Sequence, residues 1–426
     1  MRSPVFVALA LAFAGCTCNR SSTTNGTIDA AVARDPFPTT AATGPAIFSS
    51  PIAAAHVGKG AVYFVGLVAA RNVYELTRVE PNGTASWSVD ALSDIKWSSD
   101  AEVKVFASPG GGAFVLGRGM RNGQLVRELV NVDATGKIVG AAEPMKSDGC
   151  ATLDGFTFLR ENGDKSLVTT HDFSGAPPRD LFKLKAEGDH ELLCGEHTVF
   201  ALTHDDALTL ERAGAAPIVL LGAHDDSDDV EEFTVGDDVG VVNVKQGVVS
   251  LREVGATKNV PWKRIAMLPE GAAVGLVDAD ATDIFLIFTQ EAHDATCPNG
   301  SQPSRLSTLH VPRNGGEAHT HSLGMLACDS DEGPFFTGFS HKNRTSRFYV
   351  GWPERRPPKS GEPPVANLAY VTFQNDQPSD VRRIPVEADA LTEAGCDDDG
   401  CYAAALERVP GTDGMVPGPV RILKFN

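Results

Sequence analysis

The sequence predicts a nearly all-β chain, on three observations. No segment of reasonable length shows the i, i+3, i+4, i+7 apolar spacing of a surface helix, and Gly or Pro breaks most windows where one could form. Short alternating apolar runs recur along the chain, many opened by a turn rich in Gly, Asp or Asn. Finally, 42 Gly and 27 Pro in 426 residues exceed average usage, while 42% hydrophobic and 22% charged residues stay near globular norms. A fully disordered chain is thereby excluded.

The elements follow in order from the N-terminus. Arg2 supplies a positive start, Val5 to Phe13 form an apolar run, and Ala14-Gly15-Cys16 follow. The run is far shorter than the roughly 20 residues a membrane-spanning helix needs, so residues 1–15 read as a secretory signal peptide. Phe13-Ala14-Gly15-Cys16 resembles the lipobox of bacterial lipoproteins, with Phe13 where Leu is usual. The resemblance implies cleavage before Cys16, acylation of that cysteine and stable anchoring in a bilayer, because several acyl chains hold where one does not. Thr17 stands where Asp would signal inner-membrane retention, which points to the outer membrane of the cell envelope. Residues 16–45 are polar, with scattered Pro, and read as a flexible tether.

Residues 46–426 form the body. Gly60-Ala61-Val62-Tyr63-Phe64-Val65-Gly66 matches Gly112-Ala113-Phe114-Val115-Leu116-Gly117, and Glu75 to Gly83 matches Glu128 to Gly136 at a similar offset. The unit is a strand, a connection, a second strand and a Gly-containing hairpin turn. Looser copies open at Gly163-Asp164, Gly195, Gly236-Asp237-Asp238, Asp278-Ala279-Asp280, Asp331-Glu332-Gly333 and Asp397 to Gly400. Repeats of about 40 to 50 residues built from short strands mark a β-propeller. Seven blades are expected, with eight as the alternative; a pair of β-sandwiches divided near 225–232 is the competing fold. The Pro-rich stretch Pro353 to Pro364 reads as a loop inserted into one blade.

Setting aside Cys16 and Cys18 leaves Cys150, Cys194, Cys297, Cys328, Cys396 and Cys401, an even number in an exported chain. Six thiols allow 15 pairings. Cys396 and Cys401 flank a four-residue turn and suit a hairpin disulfide, and chain order makes Cys150–Cys194 and Cys297–Cys328 the economical remaining pairs. Zinc is disfavoured, since one Cys-x4-Cys without a second close pair is poor spacing for it.

Glu317, His319 and His321 would share one strand face and are the potential metal ligands of the body, but the polar outer face of an edge strand is the preferred account of them. No metal or cofactor is expected. The acidic run His224 to Glu232 reads as a solvated charge cluster. No phosphate loop, Gly-x-Ser-x-Gly elbow or His-Glu-x-x-His motif occurs. A formal charge of −18 is the wrong sign for a nucleic-acid binder. With no convergent catalytic set in view, the sequence favours a non-catalytic propeller that binds or scaffolds an envelope protein or a glycan, and is more simply read as no enzyme. The alternative is an extracytoplasmic hydrolase of carbohydrate or peptide, with acids such as Asp237 or Asp280 at a propeller face.

Overall fold

The computed structural model describes residues 40–41 and 48–425 apart from short segments between strands, of which 294–301, 327–335 and 357–364 are the longest. Cys16, Cys18, Cys297 and Cys328 lie outside the described residues, as do the leader and most of the expected tether.

The strands form eight antiparallel sheets arranged as the blades of a propeller. Blade 1 runs from Phe48 to Val89, blade 2 from Glu102 to Pro144, blade 3 from Gly149 to Lys183 and blade 4 from Asp189 to Leu221. Blade 5 runs from Asp229 to Met267, blade 6 from Ala273 to Met325, blade 7 from Phe336 to Pro385 and blade 8 from Leu391 to Phe425. Among the described residues there is no helix. The expected seven blades are corrected to eight, and the two-sandwich alternative is set aside. The compact middle blades explain the miscount: they begin at Gly149, Asp189, Asp229 and Ala273, close to the short end of the repeat length, because their hairpins are tight.

Eight apolar clusters fill the eight junctions between neighbouring blades. Second strands are buried on both faces, which is why they read as continuous apolar runs. Val62 and Phe64 pack against Tyr402 and Ala404 of blade 8, while Tyr63 and Val65 of the same strand pack against Val103 and Val115 of blade 2. Outer strands alternate, as in Ala85–Val89, where every second residue is exposed. Gly240 and Gly351 are needed for packing: each faces a phenylalanine across the strand pair, Phe233 and Phe336, and a Cβ there would stand 2.1 Å from the ring. Ring closure is made by Thr40–Ala41, which pair with Ile422 and Arg421 at the outer edge of blade 8. These two residues, expected in the tether, therefore belong to the ring.

Turns between first and second strands, and between third and fourth strands, lie on one face of the ring. Gly112, Gly195, Gly236 and Asp280 all fall in such first-to-second-strand turns, as the repeat predicts. Gly163-Asp164 instead separates the second and third strands of blade 3, and Asp331 to Gly333 lie outside the described residues. Pro353 to Arg356 continue the second strand of blade 7 rather than a loop, and 357–364 are outside the described residues.

Two disulfides tie first strands. Cys150–Cys194 joins the first strands of blades 3 and 4, with Cα atoms 5.7 Å apart. Cys396–Cys401 links directly opposed residues of blade 8 and packs against Gly338 of blade 7.

Candidate active site between blades 4 and 5

Strand periodicity places three titratable side chains in one junction. In blade 4, Leu193, Phe200 and Leu202 pack toward blade 5, so Glu191 and His204, two residues along their strands, share that face. In blade 5, Val230 packs toward blade 4 whereas Phe233 packs toward blade 6, so Glu232 lies on the blade 4 side. The three meet at the edge of an apolar cluster that includes Phe200, Leu208, Leu210 and Val241. His204 ends its strand beside the turn at 205–207, so the group opens on the face opposite the first-to-second-strand turns.

His204 Nε2 stands 3.8 Å from Glu191 Oε2. Glu191 lifts the imidazole pKa, burial works against it, and Glu232 adds to the lift. Glu232 is different in kind. Its Oε1 is buried without a hydrogen-bond partner among the described residues. Burial first, then the Glu191 carboxylate, push its pKa up to about 7, with His204 opposing. Glu231 is also raised, by burial and by Asp229 and Glu191. One carboxyl is thus held protonated near neutrality beside a second that is exposed and next to a histidine.

The acids suggested by sequence are employed otherwise. Asp237 accepts hydrogen bonds from the backbone N–H groups of His197 and Thr198, both at 2.7 Å, and these hold its carboxyl below the usual range. Asp280 accepts from the N–H groups of Thr282 and Asp283 at 2.7 and 2.8 Å and from Ser346 at 2.5 Å. Both fix turns and neither is free to act as an acid.

Of the potential metal ligands, Glu317 is exposed in a turn, while His319 and His321 each lie 3.0 Å from Asp376 of blade 7. Among the described residues, no group of three or more His, Cys, Asp or Glu is placed to hold a metal. On the first-to-second-strand face a cavity of about 510 Å³ lies between blades 5 and 6. Its charges close on one another: Glu253 meets Arg313 and, at 2.9 Å, Lys258. Burial raises Glu253, but these two cations hold it below its ordinary value.

Sequence reading missed all three site residues. Glu191 and His204 have no distinguishing motif, and Glu232 sits in the acidic run that reads as solvated. The available signal was Val230 and Phe233 inside that run, which mark a strand and assign Glu232 to an inward face.

No family model matches the chain, and no curated protein matches it. Solved structures do. Prolyl oligopeptidase B from Galerina marginata is 12% identical over 87% of this chain and 55% of its own, with a TM-score of 0.49. The β-propeller domain of the Trilobed protease from Pyrococcus furiosus is 10% identical over 76% and 97%, at 0.43. Oligogalacturonate lyase from Vibrio parahaemolyticus is 10% identical over 77% and 89%, at 0.44. This chain spans about half the length of the oligopeptidase, and at these identities the likeness concerns the fold alone. The expectation of a non-catalytic scaffold is nonetheless corrected. It rested on the lack of a convergent set of titratable groups, whereas Glu191, His204 and Glu232 converge between blades 4 and 5.

Proposed function

We propose that the protein is a hydrolase that cleaves glycosidic bonds at the junction of blades 4 and 5. The observation that carries this is Glu232: a carboxyl raised to about 7, with a buried Oε1 that has no hydrogen-bond partner among the described residues, next to a second carboxylate. In the proposed reaction Glu232 donates its proton to the leaving-group oxygen, and Glu191 serves as the anionic partner on the other side of the sugar. His204 stands beside Glu191, 3.8 Å from its carboxylate. A protonated acid beside a second carboxylate suits glycoside chemistry, and the absence of a Gly-x-Ser-x-Gly elbow from the sequence argues against a serine nucleophile of that type. Turnover of a panel of nitrophenyl glycosides by the wild-type chain and by Glu232→Gln tests the reading. Activity that is lost in the variant supports it, and equal activity in the two refutes it.

The same reading sets the ring in the cell envelope, carried on a tether from an acylated Cys16 in the outer membrane. Cys16→Ser should release the protein from membrane fractions; unchanged partitioning would count against the anchor.

A further inference from the structure

The junction of blades 6 and 7 carries a second titratable set that the proposed reaction does not use. His310 lies on the third strand of blade 6 and is only 4% exposed. Its Nε2 is 2.7 Å from Asp283 Oδ1 of the same blade, and its Nδ1 is 2.6 Å from Oδ1 of Asp376, which lies in a turn of blade 7. Asp376 is also met by His319 and His321 from the outer strand of blade 6, each at 3.0 Å. Phe285 covers the His310 ring at 4.7 Å between centroids.

With carboxylate oxygens 2.7 and 2.6 Å from its two nitrogens the ring is favoured as the doubly protonated imidazolium, although Nδ1 is not aligned for a hydrogen bond to Asp376 and meets it as an ion pair. Without the second proton, a ring lone pair would face an anion across less than 3 Å, in a place that water barely reaches. The hydrogen bond to Asp283 is internal to blade 6, but the ion pair with Asp376 crosses to blade 7. Protonation of one ring therefore decides whether the crossing is attractive or repulsive.

We propose that His310 and Asp376 form a proton-operated clasp that fastens the 376 turn of blade 7 to blade 6 and releases it as pH rises. The groups facing it are Asp283, His319 and His321 from blade 6 and Asp376 from blade 7. Beside them Asp280 of blade 6 meets His341 of blade 7 at 3.8 Å. Burial opposes the charge on His310, yet Asp283 and Asp376 lift its pKa above the ordinary histidine value. The clasp is thus fully made below that ordinary value and is lost as pH climbs through the raised one.

Hydrogen exchange by mass spectrometry on the full chain reads the device directly, in peptides covering 319–325 and 371–380 between pH 5.5 and 9. After correction for intrinsic exchange, opening of these segments should rise with pH from the ordinary histidine value up to the raised His310 value, at a limiting slope of about tenfold per pH unit for one proton released on opening, and level off above it. Asp376→Asn should remove that slope, and so should His310→Gln. If His310→Gln fails to fold, the near-isosteric Asp376→Asn together with an NMR titration of the His310 ring proton carries the test. Protection independent of pH in the wild type, or an unchanged slope in Asp376→Asn, would overturn the proposal.

Discussion

The junctions between blades 4 and 5 and between blades 6 and 7 use the same side-chain types and reach opposite electrostatic outcomes. At blades 6 and 7, Asp283, Asp376 and Asp280 are each met by histidine, hydroxyl or backbone N–H groups, and burial is offset; the Asp283 carboxyl lies below its ordinary value, mainly because of His310. At blades 4 and 5, Glu191 and Glu232 flank one histidine, and Glu232 Oε1 has no partner among the described residues. Carboxylates paired with histidine fasten blades together, whereas an acid crowded by other acids in the same architectural position costs stability and is retained where chemistry needs it.

The largest expected effect separates the two junctions by activity. Glu232→Gln should lower kcat roughly 10²- to 10⁴-fold, the usual worth of a general acid, and should remove the alkaline limb of the pH–rate profile. His310→Gln, measured at a pH where it is folded, should leave kcat within about twofold. Next comes the covalent tie between blades 3 and 4. Replacing Cys150 and Cys194 by Ser opens a 44-residue separation and should cost about 4 kcal/mol in denaturant unfolding, against about 2 kcal/mol for Cys396 and Cys401, whose separation is 5.

A smaller effect sharpens the contrast in sign. A carboxyl whose folded pKa is raised binds its proton more tightly in the folded state, so its contribution to stability falls as pH rises from the unfolded value of about 4.5 to about 7 and is flat above. Glu232→Gln should therefore stabilise the protein at pH 8, by about 2 kcal/mol once partial solvent access is allowed for, while destroying activity. His310 works over a higher window, losing its contribution as pH rises from the ordinary histidine value through its own raised one. The smallest effect is that of Asp237→Asn. Loss of a charged turn acceptor should cost about 1 kcal/mol, read from the denaturation midpoint, with kcat unchanged.

The architecture was legible because it is local. Gly-containing turns and doubly buried second strands such as Ala61–Val68 repeat along the chain, and all-β structure follows from them. Blade number was less so, since spacing varies between the compact blades 3 to 5 and the long strands of blade 7. The candidate site could not be read in the same way. Glu191 and Glu232 are 41 positions apart and meet only because consecutive blades pack face to face, and nothing adjacent to either in sequence marks the encounter. Conversely Asp237 and Asp280 drew notice because turns favour Asp, and their hydrogen bonds show that they serve the backbone.

The central claim is that the unsatisfied acid of blade 5 is a catalytic proton donor. Its most direct test is the pH–rate profile of glycoside hydrolysis by the wild-type chain and by Glu232→Gln, using nitrophenyl glycosides. Wild-type turnover should fall through an alkaline limb near pH 7, with the variant at least about a hundredfold slower and lacking that limb. A wild-type chain inert across the panel, or a variant with the same profile as wild type, would contradict it.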